Sequence, residues 1–138
     1  MILGEGMVIL FDRFNLPGDI LDIVFATTQQ RVVATELLKY VVKKGGFLGK
    51  ADMSLFATQL HEGSYETQLV DDAGKKRKVR ISYNRRQFYD RILTPMKSMG
   101  MIDFDLYKKV YTISKHFQSE MGRIGEMWMS SIQALDNR

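Results

Sequence analysis

The sequence predicts an α+β chain, mainly helical, with two small β-hairpins and a long C-terminal helix. Three observations predict it. Val33, Leu37, Tyr40 and Val41 recur at helical spacing. Two stretches, Tyr65–Val70 with Lys78–Ser82 and Ile102–Leu106 with Val110–Ile113, read as paired strands around turns. Phe117, Met121, Ile124, Trp128, Ile132 and Leu135 form a stripe at gaps of three and four near the end of the chain. With 138 residues, the chain has room for one core and little for a second. A hydrophobic share of 45% against 26% charged excludes disorder by composition. Cysteine is absent, which excludes disulfides, zinc fingers, iron–sulfur ligation and a cysteine nucleophile.

Residues 1–26 are apolar and poorly periodic, and form a packing or dimerisation segment. MVILFDRF within it fits a strand or a helical turn equally, Leu16–Asp19 carries a turn signal, and ILDIVFA is a short apolar piece of open type. The first well-marked helix opens at Thr27, whose hydroxyl has capping-box spacing to Gln30. Val32, Leu38 and Val42 widen its stripe, as in a central helix, and Gly45-Gly46 after Lys43-Lys44 ends it. A second, short helix takes Asp52 as N-cap and buries Met53, Phe56, Ala57 and Leu60, ending at Gly63. The first hairpin follows, turning at Asp71–Gly74. A third helix begins at Asn84, with capping-box-like spacing to Gln87, and turns Phe88, Ile92, Met96 and Met99 inward. Pro95 lies inside it. Either the helix kinks there, or it ends near Leu93 and restarts with Thr94 as N-cap and Pro95 at the first helical position. The second hairpin has Tyr107-Lys108-Lys109 near its tip, and the terminal amphipathic helix closes the chain.

Charge is unevenly placed. Residues 75–91 carry Lys75, Lys76, Arg77, Lys78, Arg80, Arg85, Arg86 and Arg91 against Asp90, a net +7 where the whole chain is only +4. Such polarity is the footprint of a polyanion-binding face. On a helical wheel Arg86, Gln87, Asp90 and Arg91 lie opposite the apolar side of the third helix. Arginine pairs with guanine, glutamine with adenine, and aspartate accepts from cytosine, so this set suits major-groove readout. Arg85, Asn84 and the helix start are placed for phosphate, as are Lys108 and Lys109 at one hairpin tip and Lys75–Lys78 at the other. The plainer alternative is a solvated helix face with an Arg86–Asp90 surface pair and a solvated lysine turn.

Catalytic constellations are weak. His61 and His116 have no metal-ligand spacing and read as surface or capping histidines. Asp71-Asp72 is turn chemistry, and no phosphate-cradling glycine loop or serine-nucleophile motif occurs. The chain is therefore expected to be no enzyme and to take no metal or cofactor. The methionines around Trp128 suggest a ligand pocket less than they suggest core or dimer packing. No apolar run reaches the ~20 residues of a membrane helix, and MILGEGMVILF lacks the features of a signal peptide, so a soluble cytoplasmic protein is expected.

NRRQFYDRILTPMKSMGMIDFDLYKKVYTIS resembles the recognition helix, exit turn and wing of winged helix-turn-helix regulators of the MarR, ArsR and PadR kind. Met99-Gly100-Met101-Ile102 stands at the helix exit, and TTQQRVVATELLKYV resembles the opening helix. The resemblance covers residues 27–114, with 101–114 as the wing. Residues 65–82 form an inserted hairpin where the family has a turn of a few residues; the insertion is an extra wing, or else the second helix is misassigned. The resemblance implies sequence-specific binding of double-stranded DNA and transcriptional regulation. Residues 115–138 are then a dimerisation helix, pairing through the stripe from Phe117 to Leu135 into a homodimer. Two other roles remain open: a winged-helix module meeting an acidic protein in a larger assembly, and a plasmid or viral replication or partition protein.

Overall fold

The computed structural model describes residues 18–137. The reading of MVILFDRF and most of the 1–26 segment lie outside the described residues. The part that is described begins with a short helix, α1 (Leu21–Val24), which settles the type of the ILDIVFA piece. Asp19 Oδ1 accepts from the Leu21 amide at 2.9 Å and starts it. Leu21 and Phe25 are buried in the main core.

Helix α2 (Thr28–Lys43) starts where its capping residue dictates: the Thr27 hydroxyl accepts from the Gln30 amide at 3.1 Å. Val33, Leu37 and Val41 are buried, while Val42 points to solvent. A three-residue strand, β1 (Phe47–Gly49), then leads without a loop into α3 (Lys50–Glu62). Strand β1 is too short to show alternation, and its existence depends on a partner far along the chain. It also overturns Asp52 as N-cap. Gly49 holds that place, because pairing of β1 and a bond from the Lys50 amide to the Lys109 carbonyl (3.3 Å) fix the entry of α3 three residues earlier. Asp52 instead sits in the first turn, where a carboxylate favours the helix dipole.

Strands β2 (Tyr65–Val70) and β3 (Lys76–Ile81) form the first hairpin, with β3 two residues earlier than the sequence suggests. Its turn is held by Asp71 Oδ1, which accepts from the amides of Ala73 and Lys75 at 3.0 and 2.9 Å. Helix α4 (Arg85–Gln87) continues through a π-helical turn (Phe88–Leu93) into α5 (Thr94–Ser98).

Pro95 explains that turn. It has no amide to donate, and in an α-helix its ring meets the carbonyl four residues back. Here the ladder changes register one residue earlier: the Thr94 amide bonds the Tyr89 carbonyl, five residues back. The helix neither ends nor restarts, and Thr94 is helical (φ −59°, ψ −47°) rather than an N-cap. The wider turn also brings Leu93 into the core beside Ile92.

Gly100 ends this helix with φ +80°. The Met101 amide bonds the Met96 carbonyl at 2.9 Å, closing the helix end. A Cβ on Gly100 would lie 3.2 Å from the Cβ of His116, so this glycine also allows the last helix to approach. Strands β4 (Ile102–Asp105) and β5 (Val110–Ile113) form the second hairpin, and β1 adds to β5, giving the antiparallel order β1-β5-β4. Leu48, Tyr111 and Phe104 stand in register across the three strands.

The core lies between α2, α3, the 85–98 helix and this sheet, with Phe56, Phe88, Leu37, Leu48, Ile92, Met96 and Ile102 fully buried. Stacking of Phe56 on Tyr40 and edge contacts to Tyr65 and Phe88 join α2, α3, β2 and the π turn. Two buried charges add polar ties. Arg31 bonds the Phe25 carbonyl, the Thr28 hydroxyl and Asp22. Glu36 accepts from the Thr67 hydroxyl and from Lys39 Nζ, and so fastens the first hairpin to α2.

The last helix, α6 (His116–Asp136), contains no buried residue. Its first turn is tied to the body by Phe117, packed on the core and with its amide bonded to the Gly100 carbonyl at 3.1 Å, and Glu120, Met121 and Ile124 line a groove with residues 97–100. The chain is thus a mixed α/β fold with small antiparallel sheets and a long terminal helix. Among the described residues no helix is long and apolar enough to cross a membrane.

Candidate nucleic-acid interface

The start of the 85–98 helix is held by side chains on both sides. Asn84 Oδ1 accepts from the Gln87 amide at 3.0 Å, and His61 Nδ1, from the end of α3, accepts from the Arg85 amide at 3.1 Å. His61 is therefore a capping histidine. Two of the amides on offer to a phosphate at this helix start are already occupied, and the Asn84 side chain with them.

Arg85 and Arg86 are neighbours in sequence but point in opposite directions. The Arg85 guanidinium turns back onto α3: Nη1 donates to the Ser54 carbonyl (2.9 Å) and the Thr58 hydroxyl (2.8 Å), and Nη2 to the Ser54 hydroxyl (3.0 Å). It also lies 5.3 Å from the centre of the Tyr89 ring. Arg85 thus braces two helices. Arg86 is 91% exposed, and its only ion pair is a 3.7 Å contact with Asp90, itself 66% exposed. An exposed pair of this length contributes little and opens readily to a ligand. Arg91 is exposed on the same segment, and Gln87 is half-buried.

The first hairpin sorts its cations by strand register. Arg80, Lys78 and Lys76 stand opposite Glu66, Gln68 and Val70 and so share one face of the ribbon; Arg77, opposite Leu69, lies on the other. The row repeats at about 6.6 Å, close to the rise of two nucleotides along one strand of a duplex. Arg80 pairs with Glu66 at 3.3 Å and Arg77 with Asp71 at 3.8 Å. Lys76 and Lys78 make no ion pair among the described residues. Of the lysines expected at the tip, only Lys75 belongs to the turn; Lys76 and Lys78 are on β3.

The second hairpin presents Lys108 and Lys109 at its turn, both exposed. Asp105 organises this turn. Its Oδ1 accepts from the amides of Tyr107 (2.8 Å) and Lys108 (3.0 Å), and these bonds hold its carboxyl below the usual carboxylate range. Lys109 takes a left-handed backbone (φ +55°) to close the turn. The sequence reading missed two features here. Tyr107 is 98% exposed at the tip, an aromatic ring offered to solvent. Lys50 adds an exposed cation beside the turn, because its amide bonds to the Lys109 carbonyl.

The structure therefore leaves Arg86, Arg91, Lys75, Lys76, Lys78, Lys108 and Lys109 open to a polyanion, and commits Arg85 and Asn84 to internal bonds. Comparison with known proteins finds no matching family model, no matching curated protein and no matching solved structure.

Proposed function

We propose that the protein binds double-stranded DNA sequence-specifically, as a homodimeric transcriptional regulator built on a winged helix-turn-helix. The observation that carries this reading is the pairing of β1 with β5. It joins α2, β1 and α3 to the cation-tipped 102–113 hairpin, which also lies beside the 85–98 helix, with Lys97 Nζ 5.7 Å from the centre of the Phe104 ring. In this reading Arg86, Gln87, Asp90 and Arg91 face base edges in the major groove. Lys108 and Lys109 hold phosphates on one side, and the Lys76–Lys78–Arg80 row holds them on the other. Arg85 acts by positioning the helix on α3. The exposed stripe of α6, from Met121 to Leu135, makes the dimer.

The test is DNA retardation at low and raised salt. With about six phosphates engaged, log affinity falls with log salt at a slope of about −5. An Arg86/Arg91→Ala variant is expected to lose preference among sequences, and a Lys76/Lys78→Ala variant to weaken all sequences and flatten the slope by about 2. Absence of binding at low salt overturns the proposal and favours an acidic protein as the partner of the basic face.

A further inference from the structure

Helix α6 carries a large apolar surface that stays exposed among the described residues. Trp128 is 65% exposed, and Ile124, Met127, Met129 and Leu135 are each more than half exposed. Along the stripe itself, Met121, Ile124, Trp128, Ile132 and Leu135 are 38–65% exposed and together offer on the order of 500 Å² per helix, taking about 200 Å² for each when bare. Two helices meeting would remove on the order of 1,000 Å², about the area that a specific interface has to clear. A second copy of this chain is the partner that this area suits, because the stripe is complementary to itself.

That complementarity has a direction. Reversed end for end about the level of Glu126, the stripe falls back on its own spacing to within one residue: Ile124 meets Trp128, Phe117 meets Leu135, and Met121 meets the Ser131–Ile132 step. Each contact pairs a larger side chain with a smaller one, which is how facing layers interdigitate. Two-fold symmetry then repeats every contact. Parallel pairing instead sets Trp128 against Trp128, bulk against bulk. It also brings the two bodies together at the same end of the helix pair, where they compete for one space. Antiparallel alignment opposes the two helix dipoles favourably as well.

We propose that α6 pairs antiparallel with α6 of a second copy and acts as a spacer between the two bodies. This deepens the dimer in the proposed function and rests on that reading. The helix has 21 residues and so spans about 31 Å. Bodies at its two ends stand about one duplex turn apart, ~34 Å.

The chain has no cysteine, so introduced thiols report without background. Met121→Cys and Ser131→Cys are prepared separately, mixed, equilibrated and mildly oxidised. Antiparallel pairing gives a disulfide-linked dimer from the mixture and none from either variant alone, since like positions lie about 15 Å apart along the axis and a disulfide bridges Cα atoms only within about 7 Å. Linked dimers from each variant alone overturn the proposal, as does a monomer by light scattering at micromolar concentration. An Ile124/Ile132→Glu variant is expected to give a monomer whose body keeps its unfolding transition; a variant that stays dimeric overturns the proposal. None of these readouts involves DNA. Cross-linking as expected in a protein that binds no DNA refutes the proposed function and leaves the pairing standing.

Discussion

Arg85→Ala and Arg86→Ala change the same side chain at adjacent positions, and the structure predicts that they fail in different assays. Arg85 makes three hydrogen bonds of 2.8–3.0 Å to Ser54 and Thr58. Hydrogen bonds to charged groups contribute ~1.5–3 kcal/mol each when the remaining partner is left buried. Here Ser54 and Thr58 are only half-buried and turn to water when the guanidinium is removed. The whole loss is therefore about 1.5–3 kcal/mol, or a fall in Tm of roughly 5–10 °C for a chain of this size. Arg85→Lys recovers only part of it, because a single ammonium cannot fork between two residues. Arg86 has one long pair and high exposure, so Arg86→Ala changes stability by no more than about 0.5 kcal/mol. Its cost appears in DNA affinity and sequence preference. Urea unfolding read beside DNA retardation separates the two variants. An Arg85→Ala protein with wild-type stability, or an Arg86→Ala protein destabilised by 1.5 kcal/mol or more (about the smallest loss expected at Arg85), refutes the assignment of brace and contact.

Three further outcomes are expected. Gly100→Ala combines a left-handed backbone with a 3.2 Å contact to His116 and is expected to destabilise by about 1–3 kcal/mol, read by thermal unfolding. Glu36→Ala removes the carboxylate that Thr67 and Lys39 share, and is expected to speed amide exchange in β2 and β3 ahead of the rest of the body. Burial and the Glu36 carboxylate push the Tyr65 hydroxyl up from 10.0 to about 12. The folded chain then holds that proton where the unfolded chain has released it, so Tyr65 makes stability fall as pH rises from about 10 to 12. Tyr65→Phe is expected to flatten that slope in alkaline denaturation.

Two helix starts were legible in the sequence because capping is local. Thr27 with Gln30 and Asn84 with Gln87 act within one turn, and both bonds form as their spacing implies. The terminal helix was legible for a similar reason, since a stripe of period 3.6 needs no knowledge of its partner. Pro95 was legible as a disturbance. Its outcome was not, because a kink, a break and a π turn differ in what the core asks of Leu93, which only packing settles.

What the sequence determined by itself was the order of helices and hairpins and the concentration of cations between Lys75 and Arg91. Both follow from signals within a few neighbours, or from composition alone. Tertiary structure decided the rest: that β1 exists, that Glu36 and Arg31 are buried, and that Arg85 turns inward while Arg86 faces out. Each of those depends on a group distant in sequence, such as β5 for β1, Thr67 for Glu36, or Ser54 for Arg85. A hydrogen bond has direction and short range, so a side chain's orientation is set by whichever partner the fold brings within about 3 Å, and no local pattern carries that information.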